Sequence, residues 1–144
     1  AINRGELNHP DWICGDAEWL PLPEGYADIY VAAFCLRNVT RLENVLQEAR
    51  RILKPGGHFL CLEFSKVTLP HLSSLYDLYS FHVLPLLGQI VTGHRDAYQY
   101  LVESIRKFPA QEEFADMISK AGLDQVSYRD ISGGIAAIHS AWRI

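Results

Sequence analysis

Ala27-Asp28-Ile29-Tyr30-Val31-Ala32-Ala33-Phe34 is a nearly continuous apolar run of strand length, the composition expected of a central parallel strand covered on both faces. Thr40 is placed to cap a helix from 41 to about 53, whose buried stripe would be Leu42, Val45, Leu46, Ala49, Ile52 and Leu53. Lys54 precedes Pro55-Gly56-Gly57, which stops that helix. His58-Phe59-Leu60-Cys61-Leu62-Glu63-Phe64 then reads as a second buried strand with an acidic residue near its end. Strand, helix, strand in this order means a parallel pair joined by a right-handed crossover.

Working forward, residues 70 to about 87 are helical in pattern and strongly apolar, with Pro85 and Gly88 as interruptions. Helices are expected over 95–107 and 110–121, the last capped by Gly122. Residues 123–131 and 135–143 alternate around Ser132-Gly133-Gly134, a hairpin signal. Working back, Asp11-Trp12-Ile13-Cys14 is expected to be a short strand ended by Gly15-Asp16-Ala17-Glu18, with Pro21, Pro23 and Gly25 holding a loop before Ala27. An α/β run ending in an antiparallel hairpin argues for a doubly wound sheet whose last strand is inserted antiparallel beside its neighbour. By analogy of fold, that ending is typical of class I methyltransferases.

The bulk numbers are compatible with this. The 144 residues fit one domain, and 49% hydrophobic with 21% charged residues can bury a core. A net charge of -4, with no Lys/Arg cluster, excludes a general attraction to nucleic acid. Cys14, Cys35 and Cys61 match neither a zinc nor a disulfide pattern. No metal is expected, and the cysteines read as buried thiols of a reducing compartment. No apolar stretch reaches the roughly 20 residues of a membrane-spanning helix. The start at Ala1 has no signal or transit character and lacks Met, as a processed or truncated start would.

In open α/β sheets, ligands bind beyond the carboxyl ends of the parallel strands. Three segments occupy such ends. In the first, Asp16 can accept a hydrogen bond from an adenine amino group, the Ala17 N–H can donate to a ring nitrogen and Leu20 can cover the ring; the alternative is a turn-capping Asp. In the second, Arg37-Asn38 follows the apolar strand. There an arginine finds an anionic or carbonyl partner, either a substrate oxygen or a carboxylate such as Glu63, with Asn38 then starting the helix. Guanidinium stays protonated, so Arg37 is a poor base and a good stabiliser of a developing phenolate. The third is Glu63-Phe64-Ser65-Lys66.

Within 76–85, helical offsets put Tyr76, Tyr79 and Ser80 on one face and Leu75, Leu78, His82 and Leu86 on another. Tyr76, Tyr79 and Phe81 are candidates to line an aromatic substrate pocket, although such a stripe also suits a plain core. His82 is a candidate base, with Asp77 and Tyr76 as alternatives. His139 in the last hairpin ranks below it.

Leu36-Arg37-Asn38-Val39-Thr40, Leu53-Lys54-Pro55-Gly56-Gly57, Leu62-Glu63-Phe64-Ser65-Lys66, the 76–85 segment and Tyr100-Leu101-Val102-Glu103-Ser104-Ile105-Arg106 together resemble the UbiE family of ubiquinone/menaquinone biosynthesis C-methyltransferases. The resemblance covers essentially all 144 residues. It implies methyl transfer from S-adenosylmethionine to a ring carbon of a benzoquinol or naphthoquinol bearing a polyprenyl tail. It further implies cofactor contacts at Asp16-Ala17 on the adenine side and at Ala33, where some members have a serine whose hydroxyl is absent here. Cys35 stands where a glycine is expected.

The front departs from the family: the first strand, the Gly-rich loop with its helix, and the second strand with its ribose-binding acid have no counterpart. The chain is therefore expected to be the carboxy-terminal portion, residues 1–144, of one class I S-adenosylmethionine-dependent (Rossmann-like) domain, with the first two strands missing. Truncation is favoured over completion by another chain. Arg37 and Asn38 would favour the phenolate, 69–91 would grip ring and tail or rest on a bilayer, and His82 or Asp77 would take the ring proton. A homodimer or a quinone-biosynthesis complex is compatible, as are the bacterial cytoplasm and the mitochondrial matrix side. The rivals are a non-catalytic scaffold subunit of such a complex, and a class I methyltransferase acting on another small molecule.

Overall fold

The computed structural model describes residues 11–67 and 95–144. Its elements are β1 (Ala27–Ala33), a 3-10 turn (Leu36–Asn38), α1 (Leu42–Ile52), β2 (Leu53–Phe64), α2 (Arg95–Lys107), α3 (Gln111–Lys120), β3 (Asp124–Ile131) and β4 (Ala136–Trp142). The four strands form one sheet in the order β1-β2-β4-β3. β1 and β2 run parallel, and β4 lies between β2 and β3, antiparallel to both. This is the inserted terminal strand expected from the sequence.

Alternation along the strands assigns the two faces of the sheet. Tyr30 and Ala32 pair with Phe59 and Cys61, and Phe59 and Cys61 pair onward with Ala141 and His139. On this face the core closes with Val45, Leu46 and Ala49 of α1 and Phe114 and Ile118 of α3. Each such side chain, fully buried, contributes about 1.5–3 kcal/mol. The alternate positions of β1 remain open, Ile29 at 58% and Val31 at 67% exposure.

The stripe of α1 is as expected except that Leu42 is only half-buried. Its cap is not. Arg41 is the N-cap residue, with no side-chain cap bond, so Thr40 does not play that part. Instead Glu18 reaches across from the preceding loop: Oε1 accepts from the Thr40 and Arg41 amides at 3.1 and 2.9 Å, and Oε2 from Asn44 Nδ2 at 3.1 Å. A carboxylate there satisfies free N–H groups and meets the positive end of the helix dipole.

Residues 11–14 are not a strand. Trp12 and Ile13 are 91% and 57% exposed, and the segment's neighbourhood holds only an isolated bridge, Asp16 to Trp19. Strand composition alone does not make a strand, and among the described residues the segment pairs neither with β1, whose outer edge is left open, nor with any other strand. Cys14 and Cys35 are exposed rather than buried, and only Cys61 is a buried thiol; burial pushes its pKa up.

β2 begins at Leu53, five residues before the expected His58, with a register break after Ala27. Gly56 has φ +81° and donates its amide to the Arg143 carbonyl at 2.6 Å, while Arg143 N donates to Gly57 O at 3.0 Å. The Pro-Gly-Gly bend thus ends α1 and also pairs with the chain following β4. α3 ends in a Schellman arrangement around Gly122 (φ +86°): Leu123 N donates to Ile118 O and Gly122 N to Ser119 O. Among the described residues, no helix is long and apolar enough to cross a membrane.

Candidate functional site at the carboxyl ends of the parallel strands

Beyond Ala33 the backbone turns sharply. Phe34 adopts φ +54°, a conformation that costs a bulky residue of order 1–3 kcal/mol and is over-represented at functional sites. Its amide still pairs with Leu62 O at 2.9 Å, and its ring packs 4.7 Å from that of Phe64. The turn that follows carries Arg37 back over the end of β2. Arg37 Nη1 donates to Phe34 O and to both oxygens of Glu63, at 2.9 and 3.3 Å. The guanidinium carbon stands 5.4 Å from the centre of the Phe64 ring. Glu63 is 2% exposed. Burial raises its pKa, and the charge and hydrogen bonds of Arg37 oppose that rise. Breaking such a pair from one side typically costs about 3–5 kcal/mol. Arg37 Nε is buried and has no partner among the described residues.

Of the alternatives for Arg37, pairing with Glu63 is therefore realised, and it leaves part of the guanidinium uncommitted. Asn38 does not start α1. It closes the 3-10 turn, and its Oδ1 accepts from Tyr100 Oη of α2 at 3.1 Å. Sequence reasoning assigned no role to Tyr100 beyond its place in a motif, and no local signal would have linked residues 38 and 100. A cavity of about 440 Å³, within the usual range of small-ligand pockets, is lined here by Leu36, Arg37, Lys66, Lys107, Phe108 and Met117, among others.

Asp16 is the turn cap that the plainer reading anticipated, since its Oδ1 accepts from Glu18 N at 2.9 Å. Its side chain is exposed and its second oxygen has no partner among the described residues, so it can still take an amino group. Ala17 packs against the core cluster. The loop carrying both is tied to α1: Leu20 N donates to Glu48 Oε2, while Arg51 donates to Glu48 and to the Leu20 and Leu22 carbonyls. The bond from Arg51 lowers the pKa of Glu48. Ala33 pairs with Leu62 at the end of β1 and is exposed. Tyr76, Asp77, Tyr79, Phe81 and His82 lie outside the described residues.

His139 belongs to the core. It is 2% exposed, with Nε2 2.9 Å from the Gln111 carbonyl, an edge contact to Phe114 at 4.8 Å, and Nδ1 unpartnered. Burial lowers its pKa. Gln111, which sequence reasoning passed over, is 5% exposed and donates to Lys66 O and Asp130 Oδ1, joining α3 to the end of β2 and to β3. Among the described residues, no group of three or more His, Cys, Asp or Glu could hold a metal ion.

A family model described as the ubiE/COQ5 methyltransferase family matches residues 2–143. The chain is 57% identical over all 144 residues to a human protein named 2-methoxy-6-polyprenyl-1,4-benzoquinol methylase, mitochondrial, and spans 44% of that protein's length. It is 51% identical to the Ubiquinone/menaquinone biosynthesis C-methyltransferase UbiE of Brucella anthropi, spanning 55% of it. The chain therefore covers about half the length of these relatives. Among solved structures, it is similar to an S-adenosylmethionine-dependent methyltransferase of Thermotoga maritima, with TM-score 0.66, 19% identity and coverage of 90% of this chain and 62% of the other. The [4+2]-cyclase SpnF gives TM-score 0.63 at 16% identity, covering 92% of this chain and 55% of that one. At such identities the likeness establishes the class I methyltransferase fold alone, and a cyclase among the neighbours illustrates how little fold says of chemistry.

Proposed function

Because the chain belongs to the ubiE/COQ5 methyltransferase family, we propose that it is the carboxy-terminal, substrate-side portion of an S-adenosylmethionine-dependent C-methyltransferase. Its substrate is a polyprenylated benzoquinol or naphthoquinol. The observation that carries this reading is the pair Arg37-Asn38, held at the carboxyl end of β1 by Glu63 and Tyr100.

A quinol ring carbon becomes nucleophilic when the neighbouring hydroxyl ionises, so the protein must favour the phenolate and aim that carbon. Arg37 offers a fixed positive charge and N–H donors for the phenolate oxygen. Asn38, with its Oδ1 taken by Tyr100, keeps its amide N–H₂ for a second oxygen. The exposed carboxylate of Asp16 and the Ala17 amide suit the adenine side of the cofactor, and Ala33 would contribute only backbone and methyl surface. S-adenosylmethionine supplies an electrophilic methyl group on sulfonium. The ring proton then leaves to His82 or Asp77, and Tyr76, Tyr79 and Phe81 line the ring and tail site. Contact with a bilayer through 69–91 and assembly as a homodimer or within a quinone-biosynthesis complex belong to the same reading, and a bacterial cytoplasmic or mitochondrial location accords with relatives of both kinds.

The test is calorimetric titration of S-adenosylmethionine into the 144-residue chain and into a protein that carries it at the length of its relatives, followed by methyl transfer to a prenylated quinol. Binding and product formation by the longer protein alone are expected. Binding without any methylated quinol would favour a scaffold or another substrate instead.

A further inference from the structure

We propose that Glu63 is the positioning residue for Arg37, holding one corner of the guanidinium so that its Nη2 donor is presented to the substrate oxyanion. This rests on the reading of Arg37 as the phenolate stabiliser. Among the described residues, the hydrogen bonds that Arg37 makes with its side chain go through Nη1: to Glu63 Oε1 and Oε2, and to the Phe34 carbonyl. Nε and Nη2 form the flat edge with which arginine grips an oxyanion in a bidentate manner. Neither takes a partner among the described residues; Nε is enclosed, so a ligand oxygen meets this edge at Nη2.

An N–H left without an acceptor in a buried place is unfavourable, and a free arginine side chain has many rotamers through which to relieve it. Glu63 prevents that. It sits next to the end of β2, opposite Ala137 in the β2–β4 ladder and almost fully enclosed, so its carboxylate cannot follow a displaced guanidinium. The ring of Phe64 against the guanidinium further limits its swing. The carboxylate thereby fixes the direction of the donor that remains for the substrate, the kind of preorganisation that favours developing charge.

The experiment uses the protein carrying this chain at full length, with kcat per folded molecule, KM for a prenylated quinol and calorimetric affinity for S-adenosylmethionine as readouts. Glu63→Asp retracts the carboxylate by one methylene, and Glu63→Gln keeps reach and volume without charge. A displaced guanidinium should lower kcat by up to about 100-fold in Glu63→Asp and by less in Glu63→Gln, with KM and cofactor affinity nearly unchanged. If Glu63→Asp does not fold, the kcat fall in Glu63→Gln carries the test. Combined with Arg37→Lys, either change should add nearly nothing, because both act through one group. Additive losses, or full kcat in both Glu63 variants beside a crippled Arg37→Lys, would overturn the positioning role and leave the Arg37 reading standing. Full activity of Arg37→Lys together with Arg37→Ala would sink that reading itself.

Discussion

Among the described residues, two buried polar clusters each contain a nitrogen without a partner, Nε of Arg37 and Nδ1 of His139, yet their chemistry differs. His139 is enclosed by Phe114 and Tyr128 and hydrogen-bonds the first residue of α3. Burial favours its neutral ring, so the orphan atom is an uncharged lone pair among aromatic faces. Arg37 cannot discharge itself in this way, because guanidinium stays protonated. Its orphan is a donor on a fixed cation, beside a cavity and at the end of two parallel strands. An unpaired atom points to function where the charge cannot be lost and the group that carries it borders a cavity. Neither condition holds at His139.

The largest expected effect would break the comparison outright if absent. Arg37→Ala should reduce turnover by about 100- to 1,000-fold, as loss of an oxyanion donor does, with far less change in S-adenosylmethionine affinity; equal losses in both would place Arg37 on the cofactor instead. His139→Phe keeps a ring of similar size but strands the Gln111 carbonyl, a loss of about 1–3 kcal/mol. Denaturant unfolding should report it, with turnover per folded molecule unchanged.

The sign of the pH response sharpens the same contrast. The folded-state pKa of His139 is lowered from 6.5, so above that pH both folded and unfolded chains hold it neutral. As pH falls below 6.5 the unfolded chain takes up the proton first, and stability declines until the lowered pKa is reached. Unfolding midpoints followed from pH 7.5 downward should show this decline, and His139→Phe should flatten it. The smallest effects concern the loop that bears Asp16. Glu18→Ala should cost about 1 kcal/mol, as loss of an N-terminal cap does, whereas Thr40→Ala should stay within about 0.5 kcal/mol. The reverse ranking in thermal unfolding would restore Thr40 as the cap.

Much of the fold was legible because it is local. The period of Leu42 to Leu53, the apolar runs of β1 and β2, and the glycines at 122 and 133–134 each act within a few residues, and the structure follows them closely. The failures occurred where a distant partner decides. Asp11 to Cys14 has strand composition but joins no ladder among the described residues, and Thr40 has a good capping side chain that lost its place to Glu18, 22 residues away. Cys14 and Cys35 looked apolar in context and came out exposed.

For the candidate site the division runs the same way. Residue types and order alone, read beside the motifs they form, determined the class of fold and the family and marked Arg37-Asn38 as a candidate, because strand ends can be located from apolar runs and a charged residue there must be accounted for. Only the tertiary structure decided that Arg37 spends one corner on Glu63 and keeps an edge free, that Tyr100 engages Asn38, and that His139 is core. These depend on which side chains meet across the sheet, a matter of register and packing between residues 26 to 62 positions apart that no local pattern encodes.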